Sequence, residues 1–396
     1  MNKTPEPARR RLLSAVPAVL IGFLGLFAFS ACDQSAIFFA ISQEPALREP
    51  QIVGSPTNIV TWHDGTSDSV YVANRAAVHK YNAGGWDKLP HPGGAIWSLA
   101  ATSTGLYILT SGNVKKYDTG TRTWKTVPNN SPYKTTHTIY ADSASSRLFA
   151  GAGDGTNTAS SKDYAILYLN NSGELDPLDA GGDRVHILTG AALDGSGNHY
   201  LSTAGSGIFR IAEADLTSLP LTPVTDGAGI SYGNIKGIIF KSLGGLPNDL
   251  LIAVKRSGSV LLYNGTEFVE KCKLDANNYE STGSLAFWLS PGTSGNPTLL
   301  LAGIQGSKSS LDQINTNGYR EIRLDNWAVH APGKDSPTSA PNADKYNSSL
   351  GKHPITHLFQ IPASIDPKMT VFASTINQGL WSYRDHGDGE LIWNAE

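Results

Sequence analysis

Short apolar segments separated by turn residues run through most of this chain. The clearest set is Ala95 to Ala101, Leu106 to Thr110, Val114 to Tyr117 and Trp124 to Val127, with Gly105 and Ser111-Gly112 at the breaks. The preceding stretch repeats it as Ile59 to His63, Val70 to Ala73, Val78 to Tyr81 and, after Gly84-Gly85, Trp86 to Leu89. Four short strands every 35 to 50 residues or so predict the blade of a β-propeller. The third strand is the most regular, an apolar residue, two others, then Tyr or an aliphatic. It recurs at Val78 to Tyr81, Val114 to Tyr117, Ile166 to Leu169, Ile208 to Ile211, Val260 to Tyr263 and Leu380 to Tyr383. Gly112, Gly207, Gly258 and Gly379 stand just ahead of four of these, where a tight hairpin needs positive φ. A less regular unit comprises Leu285 to Leu289, Leu299 to Ala302 and Tyr319 to Leu324.

The fold expected is all-β, a seven-bladed β-propeller, with six or eight blades if the irregular unit is divided differently. The units run over 52–91, 92–132, 133–180, 181–230, 231–278, 279–326 and 353–396. A pair of β-sandwiches is the competing architecture, and it lacks such recurrence. The last unit contains its own fourth strand, Leu391-Ile392-Trp393, so the ring can close by packing the last blade on the first. Ala36 to Ser42 could add an outer strand.

In an up-and-down blade, the connections from second to third strand share a face with those from fourth strand to the next blade. The long segments Gly151 to Asp163, Gly303 to Gly318, Pro128 to Thr135, Asp226 to Asn234 and Asn326 to Lys352 all fall there. Long loops gathered on one face predict a binding surface. It would carry Tyr133, Tyr232, Trp327 and Tyr346, with His330 and His353 beside the longest loop, 326–352. Aromatics with a polar tip suit a protein or glycan partner, although each could equally pin its own loop.

The first residues have a different pattern. Arg9, Arg10 and Arg11 precede an apolar run from Leu12 to Phe29, broken by Pro17 and ending in Ser30-Ala31-Cys32, as in a secretory signal. Phe29-Ser30-Ala31-Cys32 resembles the bacterial lipobox, with Phe29 where that motif usually has Leu. The resemblance implies that residues 1–31 are removed, that Cys32 is acylated and anchors the chain to a membrane, and that 32–51 form a linker to the body at 52–396. With the blade motifs Gly-Leu-Tyr and Tyr117-Asp118 to Trp124, the whole resembles spirochaete lipoproteins with a β-propeller body. The Tyr to Trp spacing is also similar to kelch repeats, without their double glycine. These resemblances imply a cell-envelope location and a fold, not an activity.

Composition narrows the function further. The chain has 31 Lys plus Arg against 34 Asp plus Glu, and 41 glycines with 22 prolines. Lys3, the three arginines and Glu6 fall in residues 1–31, so the remainder is acidic by about six charges, which offers nucleic acid nothing. Of two cysteines, Cys32 is assigned to acylation, leaving Cys272 as a packed thiol and no disulfide framework.

No Asp box, His-Glu-x-x-His or Cys-x-x-Cys is present, so neither a metal nor another cofactor is expected, and the enzymatic reading is disfavoured. Acidic turns such as Asp64 to Asp68 read as Asp-Gly turn chemistry. His63, His79, His137, His186 and His357 lie on or beside inner or middle strands and could approach the central channel. The function expected is a lipid-anchored scaffold or adhesin-like protein-binding module. Alternatives are a carbohydrate-active hydrolase or lyase, requiring two carboxylates at the channel mouth, and a periplasmic assembly factor for outer-membrane proteins.

Overall fold

The computed structural model describes residues 51–82, 85–153, 164–178, 187–243, 249–274, 279–289, 295–306, 318–330, 353–385 and 391–396. Seven antiparallel four-stranded sheets are present, each in sequential strand order. Blade 1 is β1 (Ile59–His63), β2 (Asp68–Ala73), β3 (Val78–Asn82) and β4 (Gly85–Lys88). Blade 2 is β5 (Ile96–Thr102), β6 (Gly105–Thr110), β7 (Asn113–Asp118) and β8 (Thr123–Thr126). Blade 3 is β9 (Thr135–Ala141), β10 (Leu148–Gly153), β11 (Tyr164–Leu169) and β12 (Leu175–Pro177). Blade 4 is β13 (Leu188–Leu193), β14 (Asn198–Thr203), β15 (Gly207–Ala212) and β16 (Thr222–Val224). Blade 5 is β17 (Ile235–Lys241), β18 (Leu250–Lys255), β19 (Ser259–Tyr263) and β20 (Phe268–Lys273). Blade 6 is β21 (Tyr279–Trp288), β22 (Leu299–Gly306), β23 (Gly318–Arg323) and β24 (Val329–His330). Blade 7 is β25 (Ile355–Gln360), β26 (Val371–Thr375), β27 (Leu380–Asp385) and β28 (Leu391–Ala395).

The seven-bladed propeller expected from the repeat is therefore the fold. Every third-strand marker lies in the third strand of its blade, and Gly112, Gly207, Gly258 and Gly379 all have positive φ. The irregular unit needs correction, because its fourth strand is Val329–His330, so that blade 6 extends past residue 326. Ala36 to Ser42, Cys32 and the signal-like run lie outside the described residues.

Seven apolar clusters lie between adjacent blades, one for each junction of the ring. The second strand of each blade supplies two of them by simple alternation. In β6, Leu106 and Ile108 join the cluster shared with blade 1, whereas Tyr107 and Leu109 join the one shared with blade 3. This is why second strands read as continuous apolar runs although they belong to antiparallel sheets. On the outer strands, Tyr81 faces Trp86, Tyr117 faces Trp124 and Tyr383 faces Trp393 in register, with ring centroids 5.0, 5.0 and 5.3 Å apart. The Tyr to Trp spacing in the sequence is thus a cross-strand aromatic pair.

At the centre the inner strands are tied to one another. Asn58 Nδ2 donates to Leu99 O (3.4 Å), Ser98 Oγ to Ile139 O (3.3 Å), Thr138 Oγ1 to Leu188 O (3.2 Å) and Thr189 Oγ1 to Ile235 O (2.9 Å). Blade 7 reaches blade 1 through the Ile59 N–H, which donates to His357 Nδ1 at 3.0 Å. Between blades 5 and 6 the backbones touch directly, since a Cβ on Gly237 would stand 2.0 Å from Gly283 O. Six inner strands, all but β1, carry a register shift against their partner, the signature of a bulge.

Among the described residues the ring closes by packing, with no strand exchanged between the first and last blades. A short lace assists it. The Ile52 N–H donates to Glu396 O, Ile52 O accepts from the Leu380 N–H, and the fully buried Ile52 side chain lies in the cluster between blades 7 and 1. Gly379, at φ +75, lets this segment approach, because a Cβ there would lie 2.3 Å from Ile52 O.

Two substitutions test this account. Gly237→Ala should destabilise by about 2–3 kcal/mol through backbone overpacking. Ile52→Ala should cost about 2–5 kcal/mol by emptying the closure core, while Val53→Ala stays near neutral. Denaturant unfolding with unchanged m-values is the measurement.

Candidate functional site on the loop face and in the channel

The connections β2–β3 and β4–β5, with their counterparts in each blade, define a loop face. The opposite face carries turns such as Asp194 to Gly197, closed by Asp194 Oδ1 accepting from the Ser196 and Asn198 N–H groups. Asp64 likewise caps its own turn, accepting from the Thr66 and Ser67 N–H groups and pairing with Lys80 at 2.7 Å. Despite the opposing effect of burial, these bonds hold its carboxyl well below the usual range.

Of the expected binding aromatics, the structure places Tyr133 and Tyr232 on the loop face. Tyr232 is only 8% exposed. Its hydroxyl donates to Thr225 O (3.1 Å) and accepts from the Phe268 N–H (2.7 Å), fastening its loop to β20. Tyr133 packs half-buried on the cluster between blades 2 and 3. Trp327 is corrected: it lies in the β23–β24 turn, on the opposite face, with φ +59 and its ring against the cluster between blades 5 and 6. His330 is corrected as well, being part of β24 and paired with Glu321, not in the following loop. Tyr346 lies outside the described residues, as does most of 326–352.

Other side chains are exposed on this face. Of the seven exposed large apolar residues among those described, Val53, Trp97, Ile187, Ile230 and Ile376 lie on or beside loop-face connections, leaving Leu219 and Val269 elsewhere. Val53, Trp97 and Ile230 are 58, 52 and 62% exposed. Trp97 occupies the bulge between Ile96 and Ser98, which turns it away from the core. The Arg75 guanidinium, from the β2–β3 turn, stacks 4.4 Å from its ring centre. Sequence reading missed Trp97, treating it as part of a regular strand. The available signal was spacing: Ile96 and Leu99 are both buried but three residues apart, as are Ile355 and Leu358, which fits a bulged strand and not a plain alternation.

The seven inner strands enclose a central channel of about 500 Å³. Of the five histidines expected near it, His357 lines it. His63 is exposed and bonded to Asp68, His79 is buried in β3, His137 lies in β9 outside the lining, and His186 is outside the described residues. Burial lowers His357 from 6.5 to about 4, and its Nδ1 accepts a backbone N–H, so the proton of the neutral ring sits on Nε2. His79 falls to about 4 through burial and the nearby Lys88, and neither of its ring nitrogens has a hydrogen-bond partner among the described residues.

Asp142 is the one carboxylate among the described lining residues, and it already accepts from the Ala144 and Leu193 N–H groups. The two-carboxylate arrangement of a glycosidase is therefore not formed by them. Among the described residues no group of three or more His, Cys, Asp or Glu could hold a metal ion. Cys272 is partly buried in β20 beside the cluster between blades 5 and 6, and burial raises its thiol to about 11, as suits a packed residue.

No protein-family model and no curated protein matches this chain. Solved structures do. The extracellular domain of a hybrid two-component system of B. thetaiotaomicron aligns at 11% identity and TM-score 0.52 over 83% of this chain and 38% of that one. The chain thus spans about two fifths of that structure. YCF48, solved bound to D1 peptide, aligns at 11% identity and TM-score 0.52 over 85% of this chain and 94% of that one. The computationally designed Ika8 protein aligns at 10% identity and TM-score 0.53 over 86% and 98%. At these identities the likeness shows the fold; the neighbours include a bacterial extracellular domain and a peptide-bound protein.

The buried histidines set an acid limit. The unfolded chain protonates both below about 6.5, the folded one only near 4, so their stabilisation is complete above 6.5 and lost as pH falls through that window. The expected loss is about 3 kcal/mol for each. Stability curves between pH 7.5 and 4 should show it, and His79→Leu should flatten the slope.

Proposed function

We propose that this chain is a cell-envelope protein whose propeller binds a protein partner on its loop face, held at the membrane by acyl groups on Cys32. The observation that carries the binding role is the gathering of Val53, Trp97, Ile187, Ile230 and Ile376 on that face. Side chains left exposed on one side of a body with seven well-filled cores are available for a partner's core. Trp97 is the anchor to test first, since a stacked tryptophan offers large area at little entropic cost, and Tyr133 and Tyr232 shape the surface by holding the loops beneath it. The peptide-bound neighbour supports a protein partner, and the bacterial extracellular neighbour supports an envelope location.

The anchor rests on Phe29 to Cys32 and the preceding apolar run. Attachment follows from the energetics of acyl chains, about 0.8 kcal/mol per buried CH₂, which make a multiply acylated cysteine an effectively permanent tether. Among the described residues no helix is long and apolar enough to cross a membrane.

Two experiments check this reading. Photo-crosslinking from the loop face in intact cells should trap a discrete partner, and Trp97→Ala with Ile230→Ser should lower its yield about tenfold or more without altering the melting temperature. An unchanged yield would sink the surface assignment. Cys32→Ala should abolish metabolic palmitate labelling and move the protein to the aqueous phase on detergent partitioning.

A further inference from the structure

Arg75 and Trp97 are held together by the fold itself. Arg75 sits in the β2–β3 turn, which Asn74 closes by accepting from the Ala76 and Ala77 N–H groups through Oδ1 (3.0 and 2.8 Å), while its own N–H donates to Ala77 O. The Arg75 carbonyl accepts from the Ile96 N–H at 3.0 Å, a backbone bond from blade 1 to blade 2 that ends one residue short of Trp97. Both side chains reach the surface from this joint. Arg75 is exposed, Trp97 is 52% exposed, and the guanidinium carbon lies 4.4 Å from the indole centre. A group that touches one of them at the surface is therefore within reach of the other.

The pair has bonding capacity left over. A guanidinium resting on a ring keeps its N–H groups for other partners, and the Arg75 side chain makes no hydrogen bond or ion pair with any described residue. Stacking already restrains the long side chain, so less rotamer freedom is lost when a carboxylate takes its fork of donors. The surroundings carry no competing anion. The loop-face connections of blades 1 and 2, residues 74–77, 89–95, 111–112 and 127–134, contain no Asp or Glu. They contain Arg75 and Lys134, and Lys115 brings its ammonium there by donating to Pro92 O at 2.6 Å. Lys134 donates to Asn129 O at 2.9 Å. Both bonds go to carbonyls, which leave the charges in place. The whole chain is net −3, so this sector is positive against the overall balance.

Given the loop-face binding proposed above, on which this rests, we propose that the Arg75–Trp97 pair is where that face takes an acidic side chain of its protein partner. An Asp or Glu carboxylate sits on the guanidinium, and an apolar residue next to it in the partner covers the indole. A side chain is favoured over a free chain end, because chain ends are captured by nests of backbone N–H groups. The N–H groups of this turn, at Ala76 and Ala77, are already bonded to Asn74. The apolar contact excludes water from the ion pair beside it, which turns a weak surface interaction into a discriminating one.

Selection of displayed random peptides on the full-length protein in detergent tests this, followed by affinity measurements with the enriched peptides made with acetylated and amidated ends. Enriched sequences should place Asp or Glu next to an apolar residue, and exchanging that acid for its amide should weaken binding about tenfold. Arg75→Gln should weaken the acidic peptides by about the same factor, and Arg75→Lys should restore only part of the loss, since lysine lacks the fork. Neither should change the melting temperature, because the bond from the Ile96 N–H goes to the Arg75 backbone. If the enriched peptides depend on Trp97 but carry no acid, or bind Arg75→Gln as they bind the parent, the carboxylate assignment is overturned while loop-face binding stands. If no peptide is enriched, or none loses affinity in Trp97→Ala, both fall.

Discussion

The ring depends on how seven inner strands satisfy the edge that faces the channel. An inner strand pairs with its own blade on one side only, and an unpaired edge in a confined space is costly unless its polar groups find partners. This chain meets that demand with short side chains reaching sideways to the next blade's backbone, at Asn58, Ser98, Thr138 and Thr189, and with His357 receiving a backbone N–H. Where no side chain reaches, glycines let the backbones meet. The channel wall is polar as a consequence of how the ring is held, and any group there in excess of the stitch is available to a ligand.

The bulges belong to the same solution. Inserting one residue at the loop-face end of the inner strand lets buried positions such as Ile96 and Leu99 both reach cores while the residue between them turns outward. In blade 2 that residue is Trp97, in blade 4 Thr189 and in blade 5 Lys236. One backbone device thus presents an exposed tryptophan, a stitch and a lysine with no ion pair among the described residues at comparable places around the ring. This is how a repeat can keep its architecture while its surface chemistry varies.

Much of the architecture was legible because second and third strands are constrained twice. Each feeds two interblade cores, so runs such as Leu106 to Thr110 and Val260 to Tyr263 admit few polar residues and stand out in sequence. Outer strands are constrained little, and the two-residue β24 left no pattern to find, which misplaced Trp327 and His330. The loop-face aromatics were read from their place in long connections, yet Tyr232 is held by Thr225 and Phe268, partners no local pattern reveals. Trp97 and Lys236 were hidden because their outward placement comes from a one-residue change of register.

The lace at Ile52 also makes the ring a mechanical object. Its backbone is bonded to Glu396 and Leu380, and the Glu396 carboxylate in turn receives Trp86 Nε1–H and the Ser382 hydroxyl. Tension in the chain ahead of residue 51 is therefore delivered to the seam between the first and last blades before it reaches any other junction. A body pulled from that point yields first by opening its circle into an arc, with six interblade cores still intact, and its resistance to such a pull is set by the few bonds that clasp Ile52.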